Sequence, residues 1–144
     1  MRQALGQAHL ALEADEVPIG AIIVDISTNQ VVARAHNLTI TRCDPTCHAE
    51  MACIRDACHS FGAQRIPQCD LYVTLEPCPM CASAISYARI RHVYFGAEDV
   101  KSGGFINGPA LAGHKSLHHK AEYTSGLMAD ESARLLKGFF KAKR

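Results

Sequence analysis

Leu71-Tyr72-Val73-Thr74-Leu75-Glu76-Pro77-Cys78-Pro79-Met80-Cys81 is the stretch from which the fold of this chain can be read. Its first five residues, apolar and partly β-branched or aromatic, read as a strand. Pro77 stops the strand, and Pro79 suits the first position of a helix, which the pattern extends over residues 81–88. Working outward, the same alternation recurs. Residues 2–14 have helical periodicity with Leu5, Ala8 and Leu12 on one face. Residues 19–25 and 31–35 read as strands around a turn at Ser27-Thr28-Asn29-Gln30. Residues 49–60 form a helix with Met51, Ile54 and Cys58 inward, residues 92–96 and 120–124 are strands flanking a Gly-rich loop at 102–108, and residues 129–141 close the chain as a helix. Strands separated by helices predict a three-layer α/β/α fold, a mixed sheet of about five strands with helices on both faces. Length predicts one domain spanning residues 1–144.

The chemistry sits where strand or loop hands over to helix. Cys78 and Cys81 are three apart and share a helix face, at a helix start where the dipole and free N–H groups favour thiolate. Upstream lies His48-Ala49-Glu50. Zinc prefers thiolate and imidazole, and catalytic sites keep three protein ligands with water in the fourth position. His48, Cys78 and Cys81 make such a set, and a water bound there would have its pKa lowered to about 7. Glu50 is the natural proton carrier. His48 and Glu50 point to nearly opposite sides of a regular helix and converge only at an irregular helix start, which Asp44-Pro45-Thr46 supplies. A redox Cys-x-x-Cys pair has no use for an upstream His-x-Glu, and a structural zinc ribbon needs a second ligand pair that the sequence lacks. Cys43, Cys47, Cys53, Cys58 and Cys69 read as packing residues, and His114, His118 and His119 as solvated, packed or phosphate-facing side chains.

Composition adds bounds. Seven cysteines, an odd number, with no recognisable secretory leader and no apolar run near ~18 residues, predict a cytoplasmic protein with no membrane association. A formal net charge of +1 neither requires nor excludes nucleic acid, so a basic footprint would have to be local. The candidate is the C-terminus, where Lys137, Lys141, Lys143 and Arg144 interleave with Phe139 and Phe140, of which at most one should face RNA.

His-Ala-Glu at 48–50 with Pro-Cys-x-x-Cys at 77–81 resembles the signature of the zinc-dependent cytidine/deoxycytidylate deaminase superfamily. Glu16-Val17-Pro18-Ile19-Gly20-Ala21, Asp44-Pro45-Thr46, the 71–78 stretch, Phe95-Gly96-Ala97 and Leu135-Leu136-Lys137-Gly138-Phe139-Phe140 look like the bacterial tRNA-specific adenosine deaminases. The resemblance implies a cytidine deaminase-like fold, one Zn²⁺ per chain on His48, Cys78 and Cys81, and hydrolytic deamination of adenosine to inosine at the wobble position of a tRNA anticodon. It implies Glu50 as the catalytic proton shuttle. Asn37 and the main chain of Ala49 would contact the base, Asp99 would approach the ribose, and Phe140 would support a neighbouring splayed base, a stack worth about 1 to 3 kcal/mol. It further implies a homodimer acting on a tRNA anticodon stem-loop. The loop Gly103-Gly104-Phe105-Ile106-Asn107-Gly108 departs from the family's usual Gly-Ser form. The alternatives are a free nucleobase or nucleoside deaminase, acting on guanine or cytosine, and a noncatalytic zinc-bearing RNA-binding module.

Overall fold

The computed structural model describes residues 1–144. Nine regular elements follow one another: α1 (Arg2–Glu13), β1 (Gly20–Asp25), β2 (Gln30–His36), α2 (Ala49–Phe61), β3 (Cys69–Leu75), α3 (Pro79–Tyr87), β4 (His92–Ala97), β5 (Glu122–Thr124) and α4 (Ala129–Ala142). The sheet order is β2-β1-β3-β4-β5. β1 is antiparallel to both of its neighbours, whereas β4 runs parallel to β3 and β5 parallel to β4. Four strands therefore share one direction and only β1 is reversed. The expected mixed α/β/α sandwich is what forms.

Register separates the two faces. Ala21 pairs with Val73 and Val73 with Phe95, and this set joins Ala52, Cys53 and Ala57 of α2 and Ala82 and Ile85 of α3 in a buried cluster of 21 residues. The opposite face carries Gly20, Thr74 and Gly96. A Cβ on Gly20 would lie 2.1 Å from the Ala4 carbonyl and 2.4 Å from the Ala8 amide, and one on Gly96 would meet Ser132 Oγ at 2.6 Å. α1 and α4 thus lie directly on that face, opposite α2 and α3.

This close approach corrects two expectations about inward residues. Ala4, Leu5, Ala8 and Ala11 form the buried stripe of α1, while Leu12 is 38% exposed. Alanine suits positions 4 and 8 because the helix backbone there lies directly on Gly20. In α2 the inward set is Ala49, Glu50, Ala52, Cys53, Ile54 and Ala57, with Met51 and Cys58 only half-buried, because the helix is rotated so that Glu50 faces inward. α3 starts at Pro79 rather than 81, since a proline at the first helical position loses no hydrogen bond. β5 shrinks to three exposed edge residues. No helix is long and apolar enough to cross a membrane. Replacing Gly20 with Ala should lower the unfolding free energy by about 1–3 kcal/mol, the usual range for overpacking; urea denaturation gives the value.

Candidate active site

Two helix starts meet at one point. His48 is the N-cap of α2 with φ −70° and ψ 157°, and Cys78 is the N-cap of α3 with φ −68° and ψ 171°. Both side chains leave the backbone in the same extended geometry just before the helix begins. Cys78 Sγ lies 3.6 Å and Cys81 Sγ 3.7 Å from His48 Nδ1, and the three donor atoms all fall within 4.8 Å of one another. Such a cluster can hold a metal ion. The irregular helix start expected for His48 is real, since Asp44 accepts bonds from the Thr46 amide (2.8 Å) and hydroxyl (2.7 Å) and fixes the turn before it.

Electrostatics at the cluster follow from burial and mutual contact. The Cys81 S–H beside it, and then His48, bring the Cys78 thiol down to about 4. Cys81 is pushed strongly up by that same bond and by burial, so the first proton leaves from Cys78. The contact with Cys78 raises His48. Glu50, 4% exposed, is pushed up to about 7 by burial and shares a hydrogen bond with Cys81. A buried carboxyl poised near neutrality beside metal-capable residues is the arrangement expected of a proton-transfer group.

The other expected residues are placed as follows. Asn37 is 3% exposed, and its neighbour Leu38 donates to the Cys47 carbonyl at 3.0 Å, tying the segment to the residue before His48. Ala49, fully buried, is the first helical residue of α2, a position whose N–H a helix leaves unpaired. The Asp99 carboxylate accepts the Lys101 and Ser102 amides at 3.1 and 3.0 Å and so closes its own turn. Phe140 is 50% exposed whereas Phe139 is buried, in line with one outward ring, but both stand on α4 in the layer opposite α2 and α3. His119 packs through Nε2 on the Ile90 carbonyl at 2.6 Å. A groove of 790 Å³ between α1 and α4 contains none of the cluster residues.

Sequence reasoning missed two buried carboxylates. Glu76, 2% exposed, accepts the amides of Asp99 (3.0 Å), Ile106 (2.9 Å) and Asn107 (2.8 Å) and the Asn107 side chain (2.7 Å). It straps the 99–107 loop to the residue next to Pro77-Cys78. Gly103 packs on Glu76 and Gly104 on Pro79, each too closely for a Cβ. Glu16, fully buried, does the same for the segment 37–41, accepting the Thr41 amide at 2.7 Å and the Asn37 side chain at 3.2 Å. The one signal in the sequence was at Glu76, an acid that ends an apolar run beside a proline; Glu16, next to Asp15, carried none.

A mixed sheet that brings an imidazole, two thiols and a buried carboxyl to the starts of two helices defines a deaminase-type hydrolase, and the sequence model of the MafB19-like deaminase family matches residues 1–144. A tRNA-specific adenosine deaminase of Agrobacterium fabrum is 49% identical over 144 residues, all of this chain and 93% of that protein. One from Bacillus subtilis is 42% identical over 144 residues, covering 88% of it. A solved structure from work on A-to-I editing by tRNA:A34 deaminases at the wobble position superposes with a TM-score of 0.91 at 49% identity, covering 94% of this chain and 97% of that one. The chain belongs to the tRNA-specific adenosine deaminase family.

Burial raises Glu76, but the surrounding amides outweigh it and hold the folded carboxylate below its ordinary 4.5. A depressed carboxylate stabilises the fold above its unfolded pKa and loses that contribution as pH falls through the folded value. Glu76→Gln should therefore be less stable than the parent by a gap of about 1.5–3 kcal/mol that is constant above about pH 5. The gap should close under more acidic conditions, as read by urea titrations at several pH values.

Proposed function

We propose that residues 1–144 act as one zinc-dependent deaminase domain that converts adenosine to inosine at the wobble position of a tRNA anticodon, consuming water and releasing ammonia. The observation that carries this reading is Glu50, a buried carboxyl that stands beside the His48/Cys78/Cys81 cluster without belonging to the donor set. A noncatalytic zinc module has no use for it.

Zinc suits the donors present. A tetrahedral ion with typical Zn–S and Zn–N bonds holds sulfur and nitrogen roughly 3.6 Å apart, and the observed separations are 3.6 and 3.7 Å. His48 through Nδ1 and Cys78 and Cys81 through Sγ would hold one ion per chain. Bound there, zinc supplies a Lewis acid that makes water acidic enough to be a nucleophile at neutral pH.

Glu50 then does the proton work. As carboxylate it takes the proton of the attacking water, delivers it to N1 of the base, and next assists departure of the 6-amino group as ammonia. Its elevated pKa suits both halves of the task, because the ideal shuttle titrates near the working pH. Asn37 and the Ala49 amide hold the base edge, Asp99 the ribose, and Phe140 with Lys137, Lys141 and Arg144 a flanking stretch of RNA. The target nucleotide must leave its stack to reach a site this enclosed. The supporting evidence is full-length similarity to proteins named for this reaction. The same kinship supports a homodimer working in the cytoplasm on the anticodon stem-loop.

The direct test gives zinc-loaded protein an adenosine-containing anticodon stem-loop, with free adenosine, guanine and cytosine run in parallel. Inosine only in the stem-loop is expected, and ammonia only from a free base would overturn the RNA reading. Glu50→Ala should retain stoichiometric zinc yet lose about 10² to 10⁴ in turnover. Cys81→Ser should lose the metal, measured by elemental analysis. Removal of the residues after Gly138 should depress stem-loop turnover far more than any turnover of free nucleoside.

A further inference from the structure

Glu16 lies between α1 and β1, after the left-handed residue Asp15 at φ 59°, and is wholly buried. It is no part of the His48/Cys78/Cys81 group. Its partners all lie in the segment that follows β2: the Thr41 amide at 2.7 Å, Asn37 Nδ2 at 3.2 Å and the Thr39 hydroxyl at 3.4 Å. Asn37 Nδ2 also reaches Thr39 Oγ1 at 3.1 Å, and the Asn37 main-chain amide donates to the Ile19 carbonyl at 3.0 Å. Backbone and side chain of Asn37 are thus held from opposite ends.

A carboxylate only accepts hydrogen bonds, so the atom of the Asn37 amide facing Glu16 must be its nitrogen. Burial favours protonation of Glu16, but the Thr41 and Ile40 amides and the Thr41 and Thr39 hydroxyls outweigh it, keeping the group a charged acceptor. With both amide protons directed at Glu16 and Thr39, Oδ1 is the end left for a ligand. We infer that Glu16 is a positioning residue for substrate recognition: through a buried carboxylate-to-amide bond it sets the place and orientation of Asn37 at the wall of the site. This rests on the reading of Asn37 as a base contact and names the residue that makes that contact possible. Glutamine at 16 would set an NH₂ group among donors and release the amide to rotate.

A double-mutant cycle on kcat/KM for the stem-loop separates this role from a merely structural one. The variants are Glu16→Gln, Asn37→Ala and both together, each checked for zinc content and melting temperature. Each single change should lower kcat/KM roughly ten- to a hundredfold with zinc retained, and the pair should be no worse than Asn37→Ala alone. A pair that loses the product of the two single losses overturns the inference. Normal kcat/KM for Asn37→Ala overturns it too, through the base-contact reading, while leaving deamination of the stem-loop standing. Should Glu16→Gln fail to fold, the ¹⁵N spectrum of the parent protein decides. Asn37 side-chain NH₂ protons that exchange with solvent far more slowly than those of an exposed asparagine are expected, and exchange at the exposed-amide rate would refute the clamp. That spectrum is independent of activity, so a protein inert towards the stem-loop would sink the proposed reaction without touching this result.

Discussion

The structure depends on two helix N-termini being brought together at one end of the sheet. β2, β3 and β4 share a direction, so α2 and α3, which follow β2 and β3, both begin at the same end. Ligand crevices of open α/β sheets form there. His48 and Cys78 occupy equivalent cap positions with nearly equal backbone angles. Each cap side chain projects past its helix instead of packing along it, which lets an imidazole from one element and a thiolate from the other meet at 3.6 Å. The free N–H groups and positive dipole ends of both helices face the same point and favour anionic ligands there.

Holding the site open requires loops that do not collapse into it. Their backbone polar groups need partners, and buried amides without acceptors are costly. Glu76 and Glu16 answer that need with one device used twice. Each is a buried carboxylate whose charge is balanced by converging N–H and O–H donors instead of a cation, since both accept main-chain amides from a loop beside the cluster. Elsewhere the chain pairs the buried Asp70 with Arg91, whose side chain is 41% exposed, and there Asp70 Oδ1 and Arg91 Nε lack partners. The glutamates are better satisfied than the ion pair, consistent with a role that demands fixed geometry. The glycines at 103 and 104 let the 99–107 loop sit against Glu76 and Pro79 without a Cβ in the way.

Periodicity and composition revealed the alternating elements and their order because β-branched runs, prolines and helical spacing are local signals. They misjudged Leu12 and Met51, since inwardness in α1 and α2 is decided by how near the helices approach the sheet. The alanine stripe of α1 on Gly20 and the inward turn of Glu50 are contact effects. Glu16 and Glu76 escaped notice because their donors lie 21 to 31 residues away in sequence, at separations no window of residues can display.

The sequence by itself determined the donor chemistry: an imidazole, two thiols at helical spacing, and a carboxyl two residues from the imidazole, types whose affinity for zinc and for protons is intrinsic to the side chains. It also determined where helices could start, because proline and the Asp44-Pro45-Thr46 turn act within a few residues. Only the tertiary structure decided that residues 30 and 33 apart in the chain converge within 3.7 Å, that Glu50 is buried enough to titrate near neutrality, and that Glu16 and Glu76 hold the flanking loops. Each of those properties depends on desolvation and on contacts across the sheet, which exist only once the strands have paired and the helices have packed on them.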